Sequence, residues 1–156
     1  MPKTISRDFP LSELTLRRYE RPSSAQLSER DAARKFCLSL GLLQPGDSRD
    51  VITDVLLVLL RARKKKVMLN AAQIRKQTIA LRRKAKQPLK GIAHSNIRRQ
   101  LKRLRDVYFV EKIKNNYRIT EFQNITTLLD EKIEQFYLPN ILKRVKEYSQ
   151  LLDEGE

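Results

Sequence analysis

Residues 93–110 read AHSNIRRQLKRLRDVYFV. The apolar residues are first spaced as in a helix and then form a continuous run. Ile97, Leu101 and Leu104 are spaced by four and then three residues, so they share one face of a helix, and the residues between them are polar. This pattern predicts an amphipathic helix over residues 95–106. The residues that follow it are rich in Val, Tyr and Phe, which favours a strand.

A β-hairpin is predicted directly after this helix. Residues 107–113 form its first strand and residues 117–119 its second, since both are rich in β-branched and aromatic side chains. Lys114, Asn115 and Asn116 lie between the strands. We assign the turn to them because Asn tolerates the positive φ that tight hairpins require.

Two further helices are predicted upstream. Asn70 and Gln73 have the spacing of a capping box, which predicts a helix that begins there and ends at the Pro- and Gly-containing residues 87–91. An earlier helix begins near Ser48 and is apolar at nearly every position over residues 51–60. We therefore expect that helix to lie at the centre of the fold.

Three helices followed by a hairpin form the element order of the winged helix-turn-helix family, which residues 48–120 resemble. The family's third helix has an apolar residue, a Leu four further on, another three further on, and then an apolar strand. Here these positions are Ile97, Leu101, Leu104, Val107, Phe109 and Val110. Many members have Gly where this chain has Tyr108, so we expect the helix to end without a positive φ.

The predicted fold class is therefore mainly α with a small β-hairpin. A winged helix-turn-helix core over residues 48–120 is preceded by an N-terminal arm and helix over residues 1–47. It is followed by a C-terminal helical segment over residues 121–156. Part of the arm is expected to dock on the core, because several of its residues are apolar.

The positive charge of the chain is concentrated in one segment. The net charge is +15. Residues 61–118 hold 20 Lys or Arg and 2 Asp or Glu, a net +18, whereas residues 1–60 carry +1 and residues 119–156 carry −4. A solvated surface usually mixes both signs. A basic block between neutral and acidic segments is typical of a protein that binds a polyanion.

The resemblance implies a role for the polar residues of this block. The start of the third helix would reach base edges, because Arg bonds guanine and Asn bonds adenine in bidentate fashion. The residues there are Ser95, Asn96, Arg98 and Arg99. Phosphates would be contacted further along that helix by Lys102, Arg103 and Arg105. The wing over residues 110–120 would contact a second phosphate strand or a minor groove through Lys112, Lys114, Asn115, Asn116 and Arg118. Further candidates for phosphate contact lie on the two preceding helices: Lys64, Lys65, Lys66, Arg82 and Arg83.

The leading hypothesis is a double-stranded DNA-binding protein, most simply a transcription regulator. An RNA-binding or ribosome-associated protein of the same fold is the first alternative, because phosphate contacts do not distinguish the sugar. The second is a protein-interaction subunit of a nucleic-acid-associated complex. Few aromatic side chains lie in the basic block, which favours DNA over RNA, although Tyr117 is a candidate for base stacking.

Catalysis, a metal and a cofactor are not expected. The sequence has no Gly-rich phosphate loop, no His-x-Glu or Cys-x-x-Cys spacing and no nucleophile elbow. Cys37 is the single cysteine and lies on an apolar helix face, which favours a core position and a cytoplasmic location. We expect His94 to lie on the surface. No signal peptide or membrane span is predicted.

The C-terminal segment carries a long apolar stripe. It runs through Ile125, Leu129, Ile133, Phe136, Leu138, Ile141, Leu142, Val145, Tyr148 and Leu152. A homodimer would cover such a stripe, and the alternative is that the segment folds back onto residues 9–43. Pro139 would either kink this helix or open a second one.

Overall fold

The computed structural model describes residues 7–23 and 27–155. The described chain is mainly helical with one small antiparallel sheet, which confirms the predicted class at that level. Within the predicted N-terminal arm and helix, residues 1–6 and 24–26 lie outside the described residues. The helices are α1 (Glu29–Ser39), α2 (Val51–Lys64), α3 (Ala71–Lys84), α4 (His94–Asp106), α5 (Ile125–Leu128) and α6 (Leu138–Glu154). The strands are β1 (Leu69–Asn70), β2 (Val110–Ile113) and β3 (Asn116–Ile119).

Helix α2 forms the centre of the fold. Every residue from Val51 to Leu59 is buried, and the helix packs against α1, α3, α4 and β3. A helix that is apolar on most sides must be covered on most sides, so this confirms the predicted central position. None of the helices in the described ranges combines the length and apolarity needed to cross a membrane.

Helix α3 begins with the predicted capping box. The Asn70 side chain accepts a hydrogen bond from Gln73 N at 2.9 Å, and the Gln73 side chain accepts one from Asn70 N at 2.8 Å. Leu69 and Asn70 also form β1, which pairs with β3 and gives a sheet of order β1-β3-β2. This strand could not be predicted from the sequence, because two residues are too few to show a period.

The end of α4 corrects a prediction. Tyr108 has a φ of 69°, so the chain leaves this helix through the left-handed region that we expected it to avoid. Its N–H donates to Arg105 O at 3.0 Å, and Phe109 N–H donates to Leu104 O at 3.2 Å, which together form a Schellman motif. The Tyr108 ring also packs edge-on against Phe136 and Tyr137. These contacts offset the steric cost of a non-glycine residue at this position.

A buried ionic cluster joins α1, α2 and α3. Arg82 Nη1 on α3 donates to Asp54 Oδ2 at 2.6 Å and to Asp50 Oδ1 at 3.0 Å. On α1, Arg30 forms ion pairs with both carboxylates, and Arg34 Nη1 lies 2.9 Å from Asp50 Oδ2. The side chain of Arg82 is only 1% exposed. Its assignment to phosphate contact was therefore wrong: the guanidinium forms ion pairs with two carboxylates inside the protein.

The Asp50 carboxylate should make the protein sensitive to acid. Burial alone would raise its pKa, but the hydrogen bond from Arg82 and the charges of Arg30, Arg82 and Arg34 outweigh burial and lower it. A lowered pKa in the folded state contributes stability above the ordinary value near 3.8, which is lost as the pH falls further. We expect urea unfolding from pH 6 to about 2.5 to show a smaller acid-induced loss in Asp50→Asn than in the exposed control Asp153→Asn. Equal losses would contradict this.

The C-terminal segment is helical from Ile125 to Glu154, with a π-helical stretch, Leu129–Tyr137, before α6. Pro139 is the second residue of α6, where its missing N–H coincides with the change of hydrogen-bond pattern. In the first half of the stripe Ile133 is buried, whereas Phe136 is 51% exposed. One contact joins this region to the arm, because Tyr137 Oη donates to Glu13 O at 2.9 Å. The arm is docked through Arg17, which donates hydrogen bonds to Leu38 O, Leu43 O and Gln44 Oε1. Three of the apolar residues on which the prediction of docking rested, Phe9, Leu11 and Leu16, are exposed.

Candidate nucleic-acid interface

Helix α4 presents a basic face because its apolar face is anchored. Ile97, Leu101 and Leu104 are fully buried against the core, as their spacing predicted. The exposed side chains on the rest of the helix include Ser95, Arg98, Arg99, Lys102 and Arg105. His94, the first residue of the helix, is exposed as expected. The anchored face fixes how the helix is rotated, and this rotation turns the arginines towards solvent.

A first groove lies between α4, the start of α3 and the hairpin. Arg98 lines it together with Lys112, Asn115 and Tyr117 of the hairpin and with residues 70–72. Three elements that are separate in sequence thus place two cationic side chains and an amide around one depression. Such donors match the oxygens of a phosphate.

A second groove lies on the other flank of α4. Arg99 and Arg103 line it together with Ser95 and with Arg49, which precedes α2. Arg49 was not among the predicted contact residues, because a single basic residue beside the start of a helix forms no pattern in the sequence. Only the packing of the residue 42–49 loop against α4 brings it to this surface. Helix α4 is therefore a ridge between two grooves that both carry arginine.

Three predicted contact residues are held by internal bonds. Asn96 Nδ2 donates to Gly91 O at 2.6 Å, and its Oδ1 accepts a hydrogen bond from Gln100. Arg103 donates to Gln100 Oε1 and to Gly41 O, and Lys102 forms an ion pair with Asp106 at 3.0 Å. Asn96 thus secures the first turn of α4 against the preceding loop, a role different from the base contact that the resemblance implied.

The hairpin extends beside α4 and exposes its turn. Lys114, Asn115 and Asn116 are exposed there, but Lys114 takes the positive φ, 57°, that we had assigned to Asn. Asn116 already belongs to β3 and pairs with Ile113. Arg118 turns away from the tip, because its Nε lies 2.6 Å from Glu111 Oε2 and its guanidinium lies over the Phe122 ring. Tyr117 is only 5% exposed, so the stacking role considered for it is wrong.

The remaining predicted residues lie outside both grooves. Lys64, Lys65 and Lys66 are exposed at the end of α2, where the chain turns into β1, and Arg83 is exposed on α3.

Cys37 is fully buried, and burial raises the pKa of its thiol to about 12, so it stays protonated at neutral pH. This agrees with the predicted core position.

The positive charge of this surface is not offset, because few acidic residues lie near it in the sequence. No Asp or Glu occurs between Asp54 and Asp106, while that interval holds 17 Lys or Arg. Asp50 and Asp54 form ion pairs in the buried cluster, so they do not offset the positive charge of α4 and the hairpin.

Comparison of the chain with protein-family models, with curated proteins and with solved structures found no match in any of the three sets.

Proposed function

We propose that this protein binds double-stranded DNA, most simply as a transcription regulator. Helix α4 enters the major groove, and the hairpin over residues 110–120 contacts phosphates. The observation that carries the proposal is the ridge of α4, whose exposed Arg98 and Arg99 stand between two grooves lined by further cations. A helix of this kind fits the width of the major groove, and Arg is the side chain most often used to bond guanine there.

The order and pairing of the elements support the same proposal. Helix α2, strand β1, helices α3 and α4 and the hairpin follow one another as in the winged helix-turn-helix family that the sequence resembles, and β1 adds a third strand to the hairpin. In that arrangement the third helix is the one that reaches base edges.

Duplex DNA is favoured over unpaired RNA by the aromatic side chains. Recognition of unpaired bases relies on exposed aromatic rings, yet Tyr117 is buried and Tyr108 packs against the C-terminal segment. RNA binding and a role as a protein-interaction subunit are the competing proposals. Sequencing the nucleic acid recovered with the protein from cells, after separate DNase and RNase treatment, distinguishes them. Duplex DNA fragments that share a motif are the expected result.

Substitutions on α4 and at the hairpin tip should have different effects. We expect Arg98→Ala and Arg99→Ala each to cost about 1–3 kcal/mol on a selected duplex and less on a random one, because base contacts are lost. Lys114→Ala should weaken both duplexes by the same factor, because a phosphate contact is independent of sequence. Fluorescence titration of each variant on both duplexes measures the difference. If all three variants lose the same affinity on both, α4 does not contact bases.

A further inference from the structure

Helix α6 carries an apolar stripe that the described part of the chain leaves mostly exposed, with only Leu138 and Ile141 partly covered. Leu138, Ile141, Val145, Tyr148 and Leu152 follow one another at alternating intervals of three and four residues, which is the core spacing of a coiled coil. No residue of α6 is buried. Tyr148 and Leu152 are 64% and 80% exposed. A continuous apolar stripe on a projecting helix is typical of an interface.

The charges of α6 are separated along its axis. Its first half, residues 138–146, contains three bases and no acid, and its second half, residues 147–154, contains three acids and no base. The bases are Lys143, Arg144 and Lys146, and the acids are Glu147, Asp153 and Glu154. A parallel pair of such helices would place like charges side by side. An antiparallel pair places the basic half of each helix beside the acidic half of the other, which is the favourable arrangement.

We propose that two copies of this chain pair through α6 in antiparallel orientation. In the register that sets Leu138 opposite Leu152, the two-fold axis passes near Val145 and the whole stripe is covered. Leu142, Val145, Tyr148, Leu151 and Leu152 are 46–80% exposed, so pairing removes on the order of 1,000 Å² from solvent, where specific interfaces begin. This inference is independent of nucleic-acid binding.

The antiparallel orientation also sets the distance between the two folded bodies. Each body is joined to its α6 at Leu138. With Leu138 opposite Leu152, the two Leu138 residues are roughly 20 Å apart along the helix pair, given the rise per residue of a helix. A parallel pair would bring them within about 10 Å. The bodies therefore lie at opposite ends of the pair.

The first test is the mass of the free protein. Sedimentation of the full chain without nucleic acid should show a species of twice 18.3 kDa at micromolar concentration. Val145→Glu places a charge in the centre of the stripe and should raise the dissociation constant at least tenfold, about 1.4 kcal/mol. The control Gln150→Glu adds the same charge on the opposite side of the same helix and should leave the dimer intact. A monomeric wild-type chain, or equal effects of the two variants, would overturn the proposal.

The second test is orientation by disulfide cross-linking. Cys37 is fully buried, so added cysteines at exposed positions are the reactive ones. Mild oxidation of Leu152→Cys alone should give no cross-linked dimer. A mixture of Leu138→Cys and Leu152→Cys chains should cross-link. Efficient cross-linking of Leu152→Cys with itself would show a parallel pair and overturn the antiparallel assignment, whatever the protein does with DNA.

Discussion

Arg82→Met should lower the free energy of unfolding by about 3–5 kcal/mol, the cost of removing one member of a buried ion pair. The methionine retains most of the aliphatic volume, so the loss reports chiefly on charge. Without the guanidinium, the Asp50 and Asp54 carboxylates face each other inside the protein with only Arg30 and Arg34 to compensate them. Protein interiors screen this repulsion weakly.

Arg83→Met provides the matched control for this experiment. Arg83 is the next residue on α3 and is exposed, so its replacement should change the stability by no more than about 0.5 kcal/mol. Urea unfolding at neutral pH and constant protein concentration measures both. Adding Asp54→Asn to Arg82→Met should recover part of the loss, because it removes one of the two carboxylates that lose their hydrogen bond from Arg82. A loss below about 1 kcal/mol for Arg82→Met would contradict the structural role.

Binding to duplex DNA should weaken by roughly three to five orders of magnitude between 50 and 200 mM salt, as expected for about six to ten phosphate contacts. The side chains available for these contacts lie on α4, in the flanking grooves and on the hairpin. They include Arg49, Arg105, Lys112 and Lys114. Each phosphate neutralised releases condensed counterions, so added salt opposes binding in proportion to the number of contacts.

The slope of log affinity against log salt identifies which Lys and Arg side chains contact phosphates. Lys114→Ala and Arg49→Ala should each reduce it by about 1. Arg144→Ala removes an exposed base of α6 that is paired with Glu147, and it should leave the slope unchanged. Arg82→Met, measured where it is still folded, should also leave the slope unchanged, because that guanidinium is internal. A slope near zero for the wild-type chain would remove the electrostatic basis of the proposed function.

The elements of this fold could be predicted wherever a local pattern was strong. The apolar run of α2, the three anchors of α4 and the Asn70–Gln73 capping box each involve residues within a few positions of one another, so their pattern is visible in one dimension. Strand β1 could not be predicted in this way. Two residues become a strand only because β3, far along the chain, supplies hydrogen-bond partners.

The candidate site shows the same division for individual side chains. Composition and order are enough to place an excess of positive charge on residues 61–118, because the acids are absent from the sequence itself. Which Lys and Arg side chains face solvent depends on how the helices pack against one another. Arg82 and Arg83 are neighbours of the same type, yet one is buried between two carboxylates and the other is exposed. Their helical positions differ by about 100°, and only the position of α2 decides which of the two meets Asp50 and Asp54.

Tyr108 and Arg49 are two residues whose structural roles could not be predicted from the sequence. A tyrosine disfavours the left-handed conformation that Tyr108 adopts after α4. The Schellman hydrogen bonds and the rings of Phe136 and Tyr137 stabilise this conformation. Arg49 joins the surface of α4 through loop packing alone. Helices, charge and the amphipathic face of α4 follow from neighbours along the chain, whereas the burial of an arginine, the strained exit and the second groove arise from contacts between residues distant in sequence. Those contacts exist only once α2 has gathered the other elements around it.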